Sequence, residues 1–272
     1  MRGGNPIVNI LWTLVFAGVT SWVSLTTASH DLTPAEPSDK LLTMNKEKTQ
    51  LFDEWPEAYD RWFTTPIGSL VKKYETQLIL DQLKPKPGEI ILDAGCGTGV
   101  FTLDILLSGS QVVGLDISLP MLIQAVKKLK GLPFQMILAD ILNLPFPGNS
   151  FDKVISVTAL EFIEDAKRTM GELFRVTKKG GRIVVATLNS LSPWAERRKA
   201  EAKKGHPLFK KATFRSPDEL LAIAPVEGVI RTAIHFRKED NPAYATEIEK
   251  EGERKGLKTG AFLAGCWEKP KG

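Results

Sequence analysis

The chain has 272 residues, of which 43% are hydrophobic and 25% are charged, and its net charge is +4. This composition excludes a disordered or low-complexity protein and suits one sizeable domain with extensions. Two cysteines and three scattered histidines provide neither a disulfide framework nor a zinc pattern. We therefore expect a reducing compartment and no structural metal.

An apolar run lies near the start of the chain. Residues 7–25, "IVNILWTLVFAGVTSWVSL", carry no charge and follow Arg2. Three alternatives stay open: a membrane anchor, the core of a signal peptide, or a dispensable leader ahead of a translation start at Met44. We divide the chain into a leader or anchor with its linker, residues 1–43, and a folded domain, residues 44–272.

Seven short apolar runs in this domain read as strands. The first five are "GEIILD", "QVVGLD", "FQMILAD", "DKVISVT" and "GRIVVATLN", and the chain between them is long enough for helical crossovers. Two later runs, "VIRTAIHF" and "AFLAGCW", favour an antiparallel pair at the sheet edge. The pattern predicts an α/β fold with a doubly wound, mostly parallel sheet and helices on both faces.

Helix caps agree with this alternation. Ser118 is placed to cap the helix "LPMLIQAVKKLK". The run "SPDELL" has Ser216 as the cap, Pro217 at the first helical position and Glu219 three residues after the cap. This spacing predicts a capping box.

A glycine-rich turn, "DAGCGTG", follows the first predicted strand. Gly95, Gly97 and Gly99 have the spacing G-x-G-x-G, whereas a dinucleotide fingerprint needs G-x-G-x-x-G. Asp93, just ahead of the turn, would repel a pyrophosphate. The turn therefore predicts a cationic ligand that approaches the backbone closely.

Two more acids end the next two predicted strands. Asp116 ends the second strand, about twenty residues beyond Gly95, the position from which a carboxylate accepts ribose hydroxyls. Asp140 ends the third strand, where it can accept from an adenine amino group. S-Adenosylmethionine fits this set, because it carries an ammonium and a sulfonium but no phosphate. A helix cap or a turn is the structural alternative for each acid taken alone.

Four motifs carry a family resemblance: "ILDAGCGTGVFT", "VVGLDIS", "ADILNLPFPGNSFDKVISVTALEFIED" and "LFRVTKKGGRIVVATLN". They resemble the motifs of class I S-adenosylmethionine-dependent methyltransferases. Within that class they are similar to the branch that contains the ubiquinone and menaquinone C-methyltransferases, the type 11 methyltransferases. The resemblance covers residues 52–187. It implies a Rossmann-like sheet with strand order 3-2-1-4-5-7-6 and an antiparallel last strand.

The resemblance also implies S-adenosyl-L-methionine as the cofactor. Its methionine end would contact Asp93 and the glycine turn, and its ribose would contact Asp116. Residues 158–160, after the fourth strand, would face the methyl donor. The implied cofactor-binding residues are Asp93, Gly95, Cys96, Gly97, Gly99, Asp116, Ile117, Met121, Asp140, Ile141 and Thr158.

The catalytic base stays open at this point. Glu161 stands where many relatives have a histidine, and it either inherits an acid–base role or begins a helix. Tyr59 matches a tyrosine that relatives fold over the cofactor, and the alternative is a core aromatic. His206 is a lone histidine in a basic segment. Direct in-line transfer to the acceptor requires no covalent enzyme nucleophile.

The basic segment, residues 190–215, carries eight Lys and Arg residues against two Glu residues. It predicts either a substrate cover that attracts an acidic acceptor or membrane surface, or a solvated helix face. The resemblance implies a small-molecule or lipid-like, quinone-type acceptor. An RNA or protein methyltransferase that uses the basic segment, and a non-catalytic S-adenosylmethionine-binding protein, remain the alternatives. We expect no DNA partner, and a cytoplasmic catalytic domain that is membrane-associated if residues 7–25 are an anchor.

Overall fold

A computed structural model describes residues 50–271 of the chain. The predicted leader, residues 1–43, and its apolar run at residues 7–25 lie outside the described residues, as does Met44. Within residues 50–271, no helix is both long and apolar enough to cross a membrane.

Seven strands form one sheet, and they confirm the predicted topology. The strands are β1 (Ile90–Ala94), β2 (Gln111–Asp116), β3 (Phe134–Leu138), β4 (Phe151–Val157), β5 (Thr177–Leu188), β6 (Val229–Ala233) and β7 (Phe262–Glu268). Their order is β3-β2-β1-β4-β5-β7-β6. Strand β7 pairs antiparallel with β5 and with β6, and the pairs among β1 to β5 are parallel.

The described residues contain eight α-helices, which lie between and beside these strands. They are α1 (Pro56–Trp62), α2 (Pro66–Leu83), α3 (Thr102–Leu106), α4 (Leu119–Lys128), α5 (Ala166–Val176), α6 (Pro193–Lys203), α7 (Pro217–Ala222) and α8 (Pro242–Arg254). Both predicted caps are present. Ser118 Oγ accepts from Met121 N at the start of α4, and Ser216 and Glu219 form the capping box of α7.

The connection between β3 and β4 and the positions of Asp93 and Asp140 differ from the sequence prediction. No α-helix joins β3 to β4, and residues 139–150 contain one 3₁₀ turn, Ile141–Asn143. Pro145 and Pro147 explain this, because proline removes a backbone donor and clashes with the preceding helical turn. Asp93 lies within β1 rather than at its end, and Asp140 lies beyond the end of β3.

The inner strands are buried on both faces. Ile91 and Val184 pack into a core on one face with residues of α2, and Leu92 and Val185 pack into a second core with residues of α5. All four side chains are fully buried. Because successive side chains of a strand point to opposite faces, strands that are apolar throughout require helices on both sides.

A buried carboxylate attaches α8 to the turn after β6. The oxygens of Glu249 accept from Ile234 N at 2.9 Å and from His235 N at 2.6 Å. The imidazole of His235 lies against α8, with Nδ1 at 3.3 Å from Glu249 Oε1. Gly252 leaves room for this ring, because a Cβ at Gly252 would lie 2.2 Å from His235 Cγ.

Replacing Gly252 with Ala should therefore lower the free energy of unfolding by about 1–3 kcal/mol, since the added methyl overpacks the contact with His235. Gly171 of α5 is the matched control, because a Cβ there would meet nothing within 4 Å. Gly171→Ala should raise the free energy of unfolding by about 0.5–1 kcal/mol through helix propensity alone. Urea unfolding measures both. Equal changes in the two variants would contradict the packing of His235 on α8.

Candidate functional site

A cavity of about 580 Å³ lies at the carboxyl ends of the central parallel strands. Open α/β sheets bind ligands at this edge. One wall of the cavity belongs to residues 50–62, which precede α2 and which we call the strap. Ten of the predicted cofactor residues line the cavity: Asp93, Gly95, Cys96, Gly97, Asp116, Ile117, Met121, Asp140, Ile141 and Thr158.

The glycine turn forms a cradle of exposed backbone. Gly95 and Gly97 have φ angles of +82° and +53°, which only glycine adopts readily. A Cβ on Gly95 would lie 2.5 Å from the Cβ of Ala159, whereas a Cβ on Gly97 would meet nothing within 4 Å and would take up open space at the wall. Gly99 does not line the cavity. A Cβ on Gly99 would lie 2.9 Å from Leu129 Cδ1, so this glycine lets the turn pack against the end of α4.

Asp116 attaches this turn to the end of β2. Its Oδ2 accepts from Gly97 N at 2.8 Å, and its Oδ1 accepts from Ser118 N at 2.9 Å. Burial raises the pKa of Asp116, and the backbone hydrogen bonds oppose that rise. Each carboxylate oxygen has a second lone pair. Asp116 can therefore still accept hydrogen bonds from hydroxyl groups in the cavity.

Asp93 is the most buried acid of the cavity wall. Its side chain is buried, and its Oδ2 accepts from Thr102 Oγ1 at 2.6 Å. Burial raises the pKa of Asp93 to about 7, while Thr102 lowers it and Asp116 adds a smaller rise. A cation beside this carboxyl group would lower the pKa again, because an opposite charge favours the ionised form.

The residues after β2 and β3 form the end of the cavity where we predict that the adenine ring binds. Asp140 Oδ1 accepts from Leu142 N at 2.9 Å, so Asp140 caps the 3₁₀ turn as well as lining the cavity. Ile117 is 44% exposed, although it is a large apolar side chain in the cavity wall. A planar ring would cover that surface. Met121 and Ile141 are buried and line the same cavity.

The charges of the cavity wall fit a cationic ligand. Among the described residues that line the cavity, Lys211 is the one cation, whereas Asp93, Asp116, Asp140 and Glu164 are acids. These carboxylates would repel a pyrophosphate. The positive charges of the ammonium and sulfonium groups of S-adenosylmethionine match these negative charges. Its ribose hydroxyls match the carboxylate oxygens as hydrogen-bond acceptors.

The strap covers the cavity, and the sequence prediction identified only Tyr59 from it. Phe52 and Tyr59 line the wall. Asp60 of α1 accepts from Thr98 Oγ1 of the glycine turn at 2.6 Å and from Lys128 Nζ of α4 at 2.7 Å. The acidic and aromatic run "LFDEWPEAYD" is the sequence signal for this contact.

A second hydrogen bond holds the first half of the strap. Asp53 Oδ1 accepts from Ser118 Oγ at 2.7 Å. Ser118 also accepts from Met121 N as the cap of α4. Hydrogen bonds thus attach the strap at two points to the glycine turn and to α4 with its cap.

The three candidate catalytic residues occupy different environments. Tyr59 lines the cavity, where burial raises the pKa of Tyr59 and the neighbouring Thr158 lowers it. His206 lies outside the cavity wall, where its ring stacks on Phe209 with 4.3 Å between ring centroids. Glu161 also lies outside the wall. Tyr59 is therefore the candidate that a ligand in the cavity can reach.

Glu161 is hydrogen-bonded to the backbone inside the fold and does not line the cavity. Its side chain is buried, and Oε1 accepts from Leu188 N at 2.6 Å at the end of β5. Arg215 Nη1 donates to Leu160 O at 3.1 Å, and its charge interacts with that of Glu161. Leu160 itself packs into the hydrophobic core instead of facing the methyl donor, because it belongs to the short 3₁₀ turn that follows β4.

The remaining part of the cavity wall is largely apolar and reaches the basic segment. The rings of Phe52 and Phe162 meet edge to face, with 4.8 Å between centroids, and Ile163 lines the same wall. Lys211 is the one residue of the basic segment in this wall. The other cations of the segment do not line this cavity.

Comparisons with known proteins agree with this geometry. Residues 92–185 match the methyltransferase domain family. A demethylmenaquinone methyltransferase of Streptomyces avermitilis is 30% identical over 182 residues, which cover 65% of this chain and 77% of the relative. Another from Beutenbergia cavernae is 35% identical over 146 residues, which cover 53% of this chain and 59% of the relative. The chain spans about three fifths of the length of the first curated relatives it matches.

A solved structure shares the fold. The S-adenosylmethionine-dependent methyltransferase from Thermotoga maritima superposes with a TM-score of 0.59 at 22% identity. The match covers 82% of this chain and 98% of that chain. The likeness therefore extends beyond residues 92–185 to the whole sheet.

Replacing Asp60 with Asn should loosen the strap, because the carboxylate that accepts from Thr98 and Lys128 loses its charge. We expect hydrogen exchange in residues 50–62 to accelerate about ten- to a hundredfold, as for the loss of a charged hydrogen bond worth about 1.5–3 kcal/mol. Glu57→Gln, on an exposed position of the same helix, is the matched control and should leave exchange unchanged. Equal exchange in the wild type and Asp60→Asn would show that Asp60 does not hold the strap.

Proposed function

The chain belongs to the class I S-adenosylmethionine-dependent methyltransferase family, in the branch that contains the demethylmenaquinone methyltransferases, and we propose that it methylates a small, quinone-type acceptor. One observation carries the assignment of the methyl donor. The open backbone at Gly97 lies in the same cavity wall as the carboxylates Asp93, Asp116 and Asp140. This combination suits a ligand with two cationic groups and a ribose, and disfavours a dinucleotide.

The side chains of the cavity would bind and orient the methyl donor. S-Adenosylmethionine, when bound, supplies a methyl group on a sulfonium, so the leaving group is already activated. Asp93 would pair with the ammonium, Asp116 would accept the ribose hydroxyls and Asp140 would accept the adenine amino group. The strap would exclude water from the cavity. The catalytic contribution of the chain is then mostly proximity and orientation.

Tyr59 and Thr158 are the residues that we propose for orienting the acceptor. Both line the cavity, and the side chain of Thr158 lies close enough to Tyr59 to affect its pKa. The hydroxyl of Tyr59 is protonated at neutral pH, and burial raises its pKa further. Tyr59 would therefore donate a hydrogen bond to an acceptor oxygen and would not act as a base.

The apolar part of the wall supports a ring-shaped acceptor. Phe52, Phe162 and Ile163 offer aromatic and aliphatic surface, and Lys211 offers one positive charge to an ionised oxygen. The relatives from Streptomyces avermitilis and Beutenbergia cavernae are demethylmenaquinone methyltransferases by name. A hydroxylated aromatic ring with an apolar substituent matches both the wall and these names.

The domain organisation follows from the same proposal. Residues 44–272 would form a cytoplasmic methyltransferase domain, and the basic segment would cover the acceptor. If residues 7–25 act as an anchor, they would hold this domain at the membrane, where lipid-like acceptors are found.

Asp116→Asn should weaken the binding of S-adenosylmethionine and S-adenosylhomocysteine by about 1–3 kcal/mol, since charge-assisted hydrogen bonds to the ribose are lost. Calorimetry measures the affinities. Asp81→Asn is the matched control, because Asp81 is half exposed and pairs with Arg231 outside the cavity. It should leave the affinities unchanged.

Turnover distinguishes the proposed enzyme from its alternatives. The wild type should transfer a labelled methyl group to a quinol with an isoprenoid tail. Labelling of RNA or protein with no labelling of the quinol would contradict the acceptor, and binding without any transfer would indicate a non-catalytic protein. Binding of NADH in the absence of S-adenosylmethionine binding would contradict the cofactor.

The affinity for S-adenosylhomocysteine should rise as the pH rises through about 7, the raised pKa of Asp93. The sign follows from charge: the ligand's ammonium favours the ionised carboxylate, so binding below this pH requires release of a proton from Asp93. Calorimetry in buffers of different ionisation enthalpy should detect that proton. Asp93→Asn should bind weakly and without this pH dependence. An unaltered pH profile in Asp93→Asn would exclude Asp93 as the titrating group.

A further inference from the structure

We infer that a second, smaller cavity beside helix α6 binds a phosphate group. The cavity has a volume of about 130 Å³ and is lined by Pro193, Trp194, Arg197, Arg237, Lys238 and Glu239. None of these residues lines the larger cavity. The inference is therefore independent of the proposed methyl transfer.

The side chains of this cavity carry an excess of positive charge. Arg197, Arg237 and Lys238 face one acid, Glu239. Within residues 50–271, neither Arg237 nor Lys238 forms an ion pair. Arg197 pairs with Glu201, which leaves Arg237 and Lys238 as the two cations without an ion pair, and an anion between them would relieve their repulsion.

Arg197 has a donor that the protein does not satisfy. Its Nη1 pairs with Glu201, but its Nε is buried and has no hydrogen-bond acceptor among the described residues. A buried donor without an acceptor is costly, because it has lost water and gained nothing in return. Arg197 lines the cavity, so a phosphate there would lie beside a guanidinium whose hydrogen bonds are incomplete.

Tryptophan rings hold two of these cations in place. The guanidinium carbon of Arg197 lies 5.5 Å from the centroid of the Trp194 ring, and Lys238 Nζ lies 5.3 Å from that of Trp62. Trp194 Nε1 donates to Phe236 O at 2.7 Å, just before Arg237 in the chain. Two of the three cations thus lie on tryptophan rings before any ligand arrives.

The size of the cavity selects the chemical class of the ligand. A volume of about 130 Å³ is several times the roughly 30 Å³ that one water occupies in the liquid. It suits a group of about five heavy atoms, such as a phosphate, and is too small for a nucleoside. Arginine prefers phosphate oxygens because its guanidinium donates two parallel hydrogen bonds. The phosphate could come from a soluble phosphate compound or from a phospholipid headgroup.

Titration with inorganic phosphate tests the site, at constant ionic strength set with sodium chloride. Because Trp62 and Trp194 contact the cations, their fluorescence should change saturably with phosphate, and calorimetry should give the same affinity. The double variant Arg237→Gln, Lys238→Gln should bind phosphate about tenfold more weakly or worse, since charge-assisted hydrogen bonds are lost. The double variant Lys203→Gln, Lys204→Gln removes the same charge from the exposed end of α6 and should bind like the wild type.

Two results would overturn the inference. One is an equal loss of affinity in both double variants, which would mean diffuse attraction rather than a site. The other is the absence of saturable binding in the wild type. Circular dichroism and S-adenosylhomocysteine affinity, which should match the wild type in both variants, confirm that the domain is intact.

Vesicles distinguish the two sources of phosphate. If vesicles that contain phosphatidylglycerol bind the wild type, and the Arg237→Gln, Lys238→Gln variant alone loses that binding, the ligand is a lipid headgroup. Saturable phosphate binding without binding to these vesicles assigns a soluble phosphate compound. Vesicles of pure phosphatidylcholine control for apolar adsorption.

Discussion

The hydrogen bond from Gly97 N to Asp116 Oδ2, at 2.8 Å, is the contact on which the site depends. It joins the glycine turn after β1 to the end of β2. The other oxygen of Asp116 accepts from Ser118 N, and Ser118 in turn caps α4 and donates to Asp53 of the strap. Asp116 is therefore linked directly to the glycine turn and to Ser118 at the start of α4, and through Ser118 to the strap. A change at Asp116 would disturb all three.

This arrangement brings two buried carboxyl groups, those of Asp93 and Asp116, close together in the cavity wall. Burial raises the pKa of both Asp93 and Asp116, and neither forms an ion pair within residues 50–271. Buried acids without cations are unfavourable on their own. They become favourable when a ligand brings the positive charge. The electrostatic cost of these carboxyl groups and their match to a cationic ligand thus have the same physical origin.

The basic segment, which looks uniform in sequence, serves separate purposes in the fold. Arg215 interacts with the buried Glu161 and stabilises the turn after β4. Lys211 lines the large cavity, and Arg197 lines the small one. Lys203 and Lys204 remain exposed at the end of α6. Charge count alone could not separate these environments, because it carries no information on the direction of a side chain.

The sequence by itself determined the α/β class, the glycine turn and the acids near the ends of the first three strands, because hydrophobic periodicity, glycine spacing and strand-end position are local properties. The family resemblance supplied the strand order. Only the tertiary structure decided that the strap closes the cavity through Asp60, that Gly99 packs against α4, and that Glu161 is buried inside the fold, where it accepts from Leu188 N. Each of these contacts joins residues that are distant along the chain or on opposite sides of a turn. Their proximity follows from how the helices pack on the sheet, which no local pattern encodes.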